Sequence, residues 1–182
     1  MLRAWLHNLP AAEGNAPVTR PNAPVRVCFV CLGNICRSPT AEGVFRHLVT
    51  EAGLADRFEI DSAGMTDYHV GEPPDHRARA AGRRAGIVID GAARAFSRGD
   101  FARFDHVIAM DSSNVRDLGF MAPSPEAALK IRLFRSFDPQ AEKDAPVPDP
   151  YYGDAAGFDH VLELCRSAGQ HLLEEIRRER AF

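Results

Sequence analysis

The run Val25-Arg-Val-Cys-Phe-Val-Cys31-Leu-Gly-Asn-Ile-Cys-Arg37-Ser38-Pro39 decides the fold. Val25 to Val30 is apolar and rich in β-branched residues, which predicts a buried strand. That strand runs without a spacer into the loop Cys31–Ser38, which contains Gly33 and Asn34. Beyond the loop, Ala41, Val44, Phe45, Leu48, Val49 and Ala52 recur at helical spacing. Ser38 reads as the N-cap of this helix, Pro39 as its first residue and Gly53 as its terminator. The unit is therefore a strand, a tight loop and a helix, with the helix N-terminus facing the carboxyl end of the strand.

The same alternation continues outward. Phe58 to Ser62 predicts a second strand, and Pro74 to Ala85 a helix ended by Gly86. Asp105 to Met110 reads as a strand, Ser112 to Leu118 as a short helix, and Ala127 to Phe134 as a helical turn followed by a strand. Residues 137–154 carry four prolines and two tyrosines and read as irregular. Phe158, Val161, Leu162, Cys165, Ala168, Leu172 and Ile176 form the apolar stripe of a last helix. Strands alternating with helices predict an α/β fold with a mainly parallel sheet. Ligands of such sheets bind beyond the carboxyl ends of the strands, which is where the Cys31 loop lies.

A chain of 182 residues suits one domain with a full core. A formal charge of −3 gives no global bias toward nucleic acid or membrane, so anion binding has to be local. The cysteines at 28, 31, 36 and 165 are not the even framework of a secreted domain, and they point to a reducing compartment. Residues 1–24, rich in Ala, Pro and Asn, read as a flexible extension with an apolar tip at Trp5 and Leu6. No apolar run approaches the ~20 residues needed to span a membrane.

The loop carries the chemistry. A nucleophilic cysteine must be a thiolate, and a helix N-terminus with a nearby cation favours that form. The same geometry suits phosphate, because successive N–H groups in a curled loop make an anion nest that the helix dipole strengthens. Gly33 permits a close turn and Asn34 a left-handed conformation. Arg37 offers a planar fork for two oxygens, and Ser38 can donate to the sulfur.

Val30-Cys-Leu-Gly-Asn-Ile-Cys-Arg-Ser-Pro-Thr-Ala-Glu42 resembles the signature of the low-molecular-weight protein tyrosine phosphatases. Further segments match in order: Asp61-Ser-Ala-Gly64, His69-Val-Gly-x-Pro-Pro-Asp75, Phe104-Asp105…Met110-Asp111…Asn114 and Asp149-Pro-Tyr-Tyr-Gly153. The resemblance runs from about Val25 to the last helix and implies a phosphatase domain over 25–182. It implies a three-layer fold, with a four-stranded parallel sheet between helices, and cleavage of aryl phosphate monoesters without metal or cofactor. Cys31 is then the nucleophile, Arg37 the stabiliser of the transferring phosphoryl group, and Asp149 the general acid and base. Leu32, Gly33, Asn34, Ile35, Cys36 and Ser38 would hold the phosphate, with Tyr68, Tyr151 and Tyr152 as aromatic walls. Cys36 is expected to trap oxidised Cys31 as a reversible disulfide. The implied partners are a phosphotyrosine protein or small aryl phosphate as substrate and inorganic phosphate as product and inhibitor, without nucleic acid or membrane, and the enzyme is expected to be a cytoplasmic monomer.

Some positions depart from the family pattern. Tyr68 stands where many relatives have Trp, and Met65-Thr66 replaces Thr-Gly. The run Asp90-Gly-Ala-Ala-Arg94 lacks the His that supports the loop Asn in some members, which leaves Asn34 to lean on Ser62 or on a group the sequence does not reveal. Rival functions are weaker. Arsenate reductases need redox cysteines downstream, and none lies between Cys36 and Cys165. Phosphoarginine phosphatases usually carry Thr where this chain has Ile35, and a binding module would lack the nucleophile or the acid. Cys28-x-x-Cys31 sits within a strand, unlike a redox or zinc motif. The histidines read as surface or packing residues. Arg77, Arg79, Arg83 and Arg84 read as a solvated helix face, with attraction of acidic phosphopeptides as the lesser alternative.

Overall fold

A computed structural model describes residues 23–182. The expected extension over 1–24, with Trp5 and Leu6, lies outside these residues except for its last two. Strand β1 (Val25–Cys31) alternates as a pleated strand must. Val25, Val27 and Phe29 enter one apolar cluster, while Cys28 and Val30 enter another on the opposite face. Both faces of β1 are thus covered, which explains why it reads as a continuous apolar run.

Among the described residues, four parallel strands form a sheet in the order β2-β1-β3-β4. These are β2 (Phe58–Gly64), β3 (His106–Ala109) and β4 (Ile131–Leu133), paired in register as Cys31 with Gly64 and Val30 with Ala109. On one face lie α1 (Arg37–Glu51), α2 (His76–Arg84) and α6 (Ala155–Arg180). Phe45 of α1 stacks edge-on to Phe29 with centroids 5.6 Å apart, and the predicted stripe of α6 from Phe158 to Ile176 packs into the same cluster. On the other face, α3 (Asp100–Arg103), α4 (Ser112–Met121) and α5 (Pro125–Ala128) bring Phe101, Leu118 and Ala127 against Cys28 and Val30. This is the expected three-layer α/β architecture.

Two local expectations are corrected. Helix α1 begins at Arg37, not at Pro39, and its cap residue Cys36 makes no side-chain cap bond. Ser38 is not the N-cap, because its hydroxyl is committed to Cys31 and Asn34. Pro39 still fits, since the first helical turn has no internal partner for its missing N–H. Helix α3 was not expected; four residues are too short for periodicity to register. The predicted terminators hold. Gly53 (φ +69°) lets Leu54 N–H reach Val49 O at 2.9 Å, and Gly86 (φ +71°) lets Ile87 N–H reach Gly82 O at 2.8 Å.

Two helical glycines have a different reason. A Cβ at Gly43 of α1 would stand 2.6 Å from the Val88 carbonyl oxygen, whereas one at Gly119 of α4 would meet nothing within 4 Å. Ala is better than Gly in a helix by about 1 kcal/mol, but overpacking against fixed backbone costs about 1–3 kcal/mol. Gly119→Ala should therefore raise the urea midpoint and Gly43→Ala should lower it, with m unchanged. A Gly43→Ala protein as stable as Gly119→Ala would contradict this packing.

Candidate active site

β1 delivers Cys31 to the carboxyl edge of the sheet, and α1 starts at Arg37, so residues 32–36 must turn between them. Asn34 makes this possible by adopting the left-handed region (φ 56°). Its N–H donates to Cys31 Sγ at 3.2 Å. The N–H groups of Ile35, Cys36 and Arg37 donate to no protein atom among the described residues. Orphan donors at an uncapped helix start, beside a sulfur already bonded by one loop amide, are what an anion nest requires. Gly33 serves close approach: a Cβ there would lie 3.0 Å from the His69 ring.

Behind the loop, the Asn34 carboxamide is bound in three directions. Its Nδ2 donates to Ser38 Oγ at 2.9 Å and to Ser62 Oγ at 2.8 Å, and its Oδ1 accepts from the Arg94 N–H at 2.9 Å. That backbone donor fixes which end of the amide is oxygen. Ser62 Oγ, having accepted from Asn34, gives its own proton to Glu42 Oε2 at 2.6 Å. Ser38 Oγ, likewise an acceptor from Asn34, lies 3.0 Å from Cys31 Sγ and 3.3 Å from Ala63 O. A thiolate sulfur can only accept, so the Ser38 proton then points at Cys31.

The Ser62 support is as expected, and Gly91 contributes nothing to it. The Arg94 amide and Glu42 complete what the sequence reading left open. Burial pushes the Glu42 carboxyl up, against the opposing pull of Ser62 and Arg46. The Arg94 side chain is clamped by Asp61 (3.0 Å) and Asp100 (3.1 Å), which pins its amide in place. Gly64 was also missed: a Cβ there would stand 3.0 Å from Leu32 O and 3.2 Å from the Asn34 Cβ. Only the Ser-Ala-Gly ending of β2 hinted at it.

The Arg37 guanidinium is buried beside the sulfur. Nη1 donates to Asp111 Oδ2 (2.6 Å) and Val147 O (3.3 Å), and Nη2 donates to Asp149 Oδ2 (3.1 Å). Burial works against its charge, but Cys31, Asp111 and Asp149 outweigh it and hold the guanidinium protonated. Asp111 was quoted in the sequence only as part of a match. It caps α4 through the Asn114 N–H (2.8 Å), and although burial opposes ionisation, that bond, Ser113 and Arg37 hold its carboxyl below the usual range.

Asp149 is brought in by the irregular stretch, which is tied down at both ends. Val147 N–H donates to Met110 O (2.8 Å) at the end of β3. Arg77 of α2 donates to Gly153 O (2.9 Å) and Tyr151 O (3.0 Å) while paired to Asp75 (2.8 Å). The α2 arginines are therefore not uniformly a solvated face: Arg77 is a strap for the acid loop, and Arg84 pairs with Asp159.

These parts surround a pocket of about 310 Å³. Cys31 and Arg37 lie at its buried base, Ile35, Cys36 and Leu32 on its walls, and Tyr68, Tyr151 and Tyr152 on its rim. Asn34 and Ser38 do not line it; they act from behind the loop. His69 does line it, with Nδ1 2.7 Å from Glu72 Oε2, so the surface reading of that histidine is corrected. Its place follows from the 66–75 loop folding over Gly33, which periodicity cannot show. Cys28 and Cys165 are buried core thiols, and burial raises the Cys28 thiol well above its ordinary range. Among the described residues no group of His, Cys, Asp and Glu is gathered to hold a metal ion, and no helix is long and apolar enough to cross a membrane.

A thiol seated in orphan amides beside a caged arginine has counterparts elsewhere. The family model described as low molecular weight phosphotyrosine protein phosphatase matches residues 26–181. A Streptomyces coelicolor low molecular weight protein-tyrosine-phosphatase is 48% identical over 155 residues, covering 85% of this chain and 94% of the relative. The Homo sapiens low molecular weight phosphotyrosine protein phosphatase is 43% identical over 150 residues, covering 82% and 94%. The crystal structure of an Entamoeba histolytica protein tyrosine phosphatase with Hepes in its active site superposes with a TM-score of 0.82 at 35% identity, covering 86% of this chain and 99% of that one. With the match spanning both the Cys31 loop and Asp149, the chain belongs to the low molecular weight phosphotyrosine protein phosphatase family.

Proposed function

We propose that this protein hydrolyses phosphotyrosine in proteins, and small aryl phosphates, through a phosphocysteine on Cys31. One observation carries the reading: the Cys31 sulfur sits among the loop amides, between Ser38 and an Arg37 fork that also holds Asp149. The phosphate would occupy the nest, with its oxygens taken by the Ile35, Cys36 and Arg37 amides and the guanidinium. The Cys31 thiolate attacks phosphorus, the S–P bond forms, and the P–O bond to the phenol breaks. Asp149 gives the leaving oxygen its proton and then takes one from water as that water attacks phosphorus, so that inorganic phosphate leaves and the thiolate returns. Phosphate oxygens would displace Asp149 from Arg37, freeing the carboxyl for this exchange. No step calls for a metal or other cofactor.

Ile35, nearly buried on the pocket wall, suits an aromatic ring and offers no hydrogen bond to a guanidino group. Tyr68 and Tyr152, both largely exposed, would flank the ring at the mouth. A cytoplasmic, monomeric enzyme fits this reading. Cys36 would serve as the redox guard: peroxide converts Cys31 to a sulfenic acid, the Cys36 thiolate attacks that sulfur, and hydroxide leaves as the disulfide forms. Burial first, then Asp75, Cys31 and Asp149, pushes the Cys36 thiol up to about 12. Well below that value its thiolate rises tenfold per pH unit.

Four outcomes test these assignments. Without added metal, phosphotyrosine should be turned over in preference to phosphoserine, phosphoarginine and arsenate, and Cys31→Ser should abolish turnover while retaining phosphate binding. Preference for another substrate, or substantial turnover by the variant, would overturn the reading. Asp149→Ala should slow phenyl phosphate at least about 10²-fold and a nitro-substituted aryl phosphate much less, because an activated phenolate needs little protonation; equal losses would remove Asp149 as the acid. After peroxide treatment, the ratio of Cys31–Cys36 disulfide to irreversible sulfinic acid, read by mass spectrometry, should climb between pH 6 and 8. A pH-independent ratio would count against Cys36 as the trap.

A further inference from the structure

Between α1 and α2 runs a segment with the habit of a strand and no sheet to join. Ile87 and Ile89 are buried while Val88 and Asp90 are exposed, the alternation of a half-covered strand. Both helices are cut back to seat it. A Cβ at Gly43 would lie 2.6 Å from Val88 O, and one at Gly82 would lie 2.7 Å from Ile87 O. The Ile87 N–H closes the end of α2, but the N–H groups of Val88, Ile89 and Asp90 donate to nothing among the described residues. The segment is thus held firmly between the two helices, with one of its edges facing each of them.

The wall beside it is cationic. Arg77 and Arg84 are committed to other partners, as described above. Arg79 and Arg83, one turn apart and exposed, have no carboxylate or carbonyl partner among the described residues. They line a groove of about 380 Å³ together with Ile87, Val88 and Asp90. Asp90, which also lies near Asn34, Pro39 and Pro74, stands at the end nearer the phosphate loop, where its charge is partly offset by Arg46 at 3.9 Å. The start of α2 lies beside the phosphate loop, because Asp75, its cap, donates its N–H to Ile35 O at 2.8 Å. At a rise of ~1.5 Å per residue, Arg79 and Arg83 stand about 6 and 12 Å from Asp75 along the helix. An extended peptide spans those distances in about two and four residues.

We propose that this groove docks an acidic, extended segment of the phosphoprotein substrate, with Asp or Glu about two to six positions from the phosphotyrosine held in the pocket. The proposal rests on the phosphotyrosine reading above. Each exposed charge pair is weak and screened by salt, so the preference is modest and strongest at low ionic strength.

The test compares a phosphotyrosine peptide bearing Glu at those positions on both sides with its Gln counterpart. The Glu peptide should show about three- to tenfold higher kcat/KM at low salt, with the difference collapsing in high salt. Arg79→Ala with Arg83→Ala should erase the difference and leave p-nitrophenyl phosphate turnover unchanged. Arg79→Glu with Arg83→Glu should shift the preference to a Lys peptide. No preference in the parent enzyme, a preference surviving the double variant, or a parallel loss on p-nitrophenyl phosphate would overturn the proposal. Chemical-shift changes at the Val88 and Arg83 amides on adding the unphosphorylated Glu peptide read the groove without turnover. Such binding in an enzyme inert toward phosphotyrosine would uphold the groove and sink the functional reading, whereas phosphotyrosine turnover without it would do the reverse.

Discussion

Asn34 stands in a left-handed conformation (φ 56°), with its carboxamide tied to Ser38, Ser62 and the Arg94 amide. A non-glycine residue at positive φ is strained by about 1 kcal/mol or more, and these bonds hold it there. The consequences run outward through each partner. The Arg94 amide sets the direction of the Asn34 dipole, that dipole leaves Ser38 with a proton for the sulfur, and beyond the bend the amides of Ile35, Cys36 and Arg37 have no protein partner among the described residues. Glu42 on α1 and Ser62 on β2 complete the tie, so the loop is braced by both elements that flank it.

The second constraint is a buried cation. A guanidinium removed from water without partners costs several kcal/mol. Arg37 avoids this with two carboxylates of different character. The side chain of Asp111 is 21% exposed and anchored as a helix cap; that of Asp149 is 45% exposed and carried on a loop. The first is a standing partner. The second can exchange, which suits a group that must gain and lose a proton during turnover. Arg77 limits how far it travels by gripping the carbonyls of Tyr151 and Gly153.

Much of this was legible in the chain. The apolar run 25–30, the helical stripes of 41–52 and 158–176, and Gly53 and Gly86 as terminators are local signals, and local signals survive folding. So did the left-handed role of Asn34, because few residues tolerate that region. What escaped is what depends on distant chain segments meeting. Ser38 reads locally as a cap, but the sulfur seven residues earlier claims its hydroxyl. Asp111 stands in the sequence only as part of a matching segment, because its partner Arg37 lies far away along the chain. The amide of Arg94 has no side-chain signature at all, and Gly64 matters only because Leu32 and Asn34 pass over it. His69 and Arg77 were misread for the same reason: their partners, Gly33 and the 151–153 carbonyls, lie far away in sequence.

The dependence of α1 on α6 bears on what holds the site. Gly169 of α6 lies against Phe45 and Leu48 of α1, Phe158, Val161, Leu162 and Cys165 share the same apolar cluster, and Asp149 follows the Val147 link to Met110. The loop is short in sequence, yet the helix behind it leans on an element more than a hundred residues further along the chain. The nest and the acid are therefore held by contacts that only the folded domain as a whole supplies.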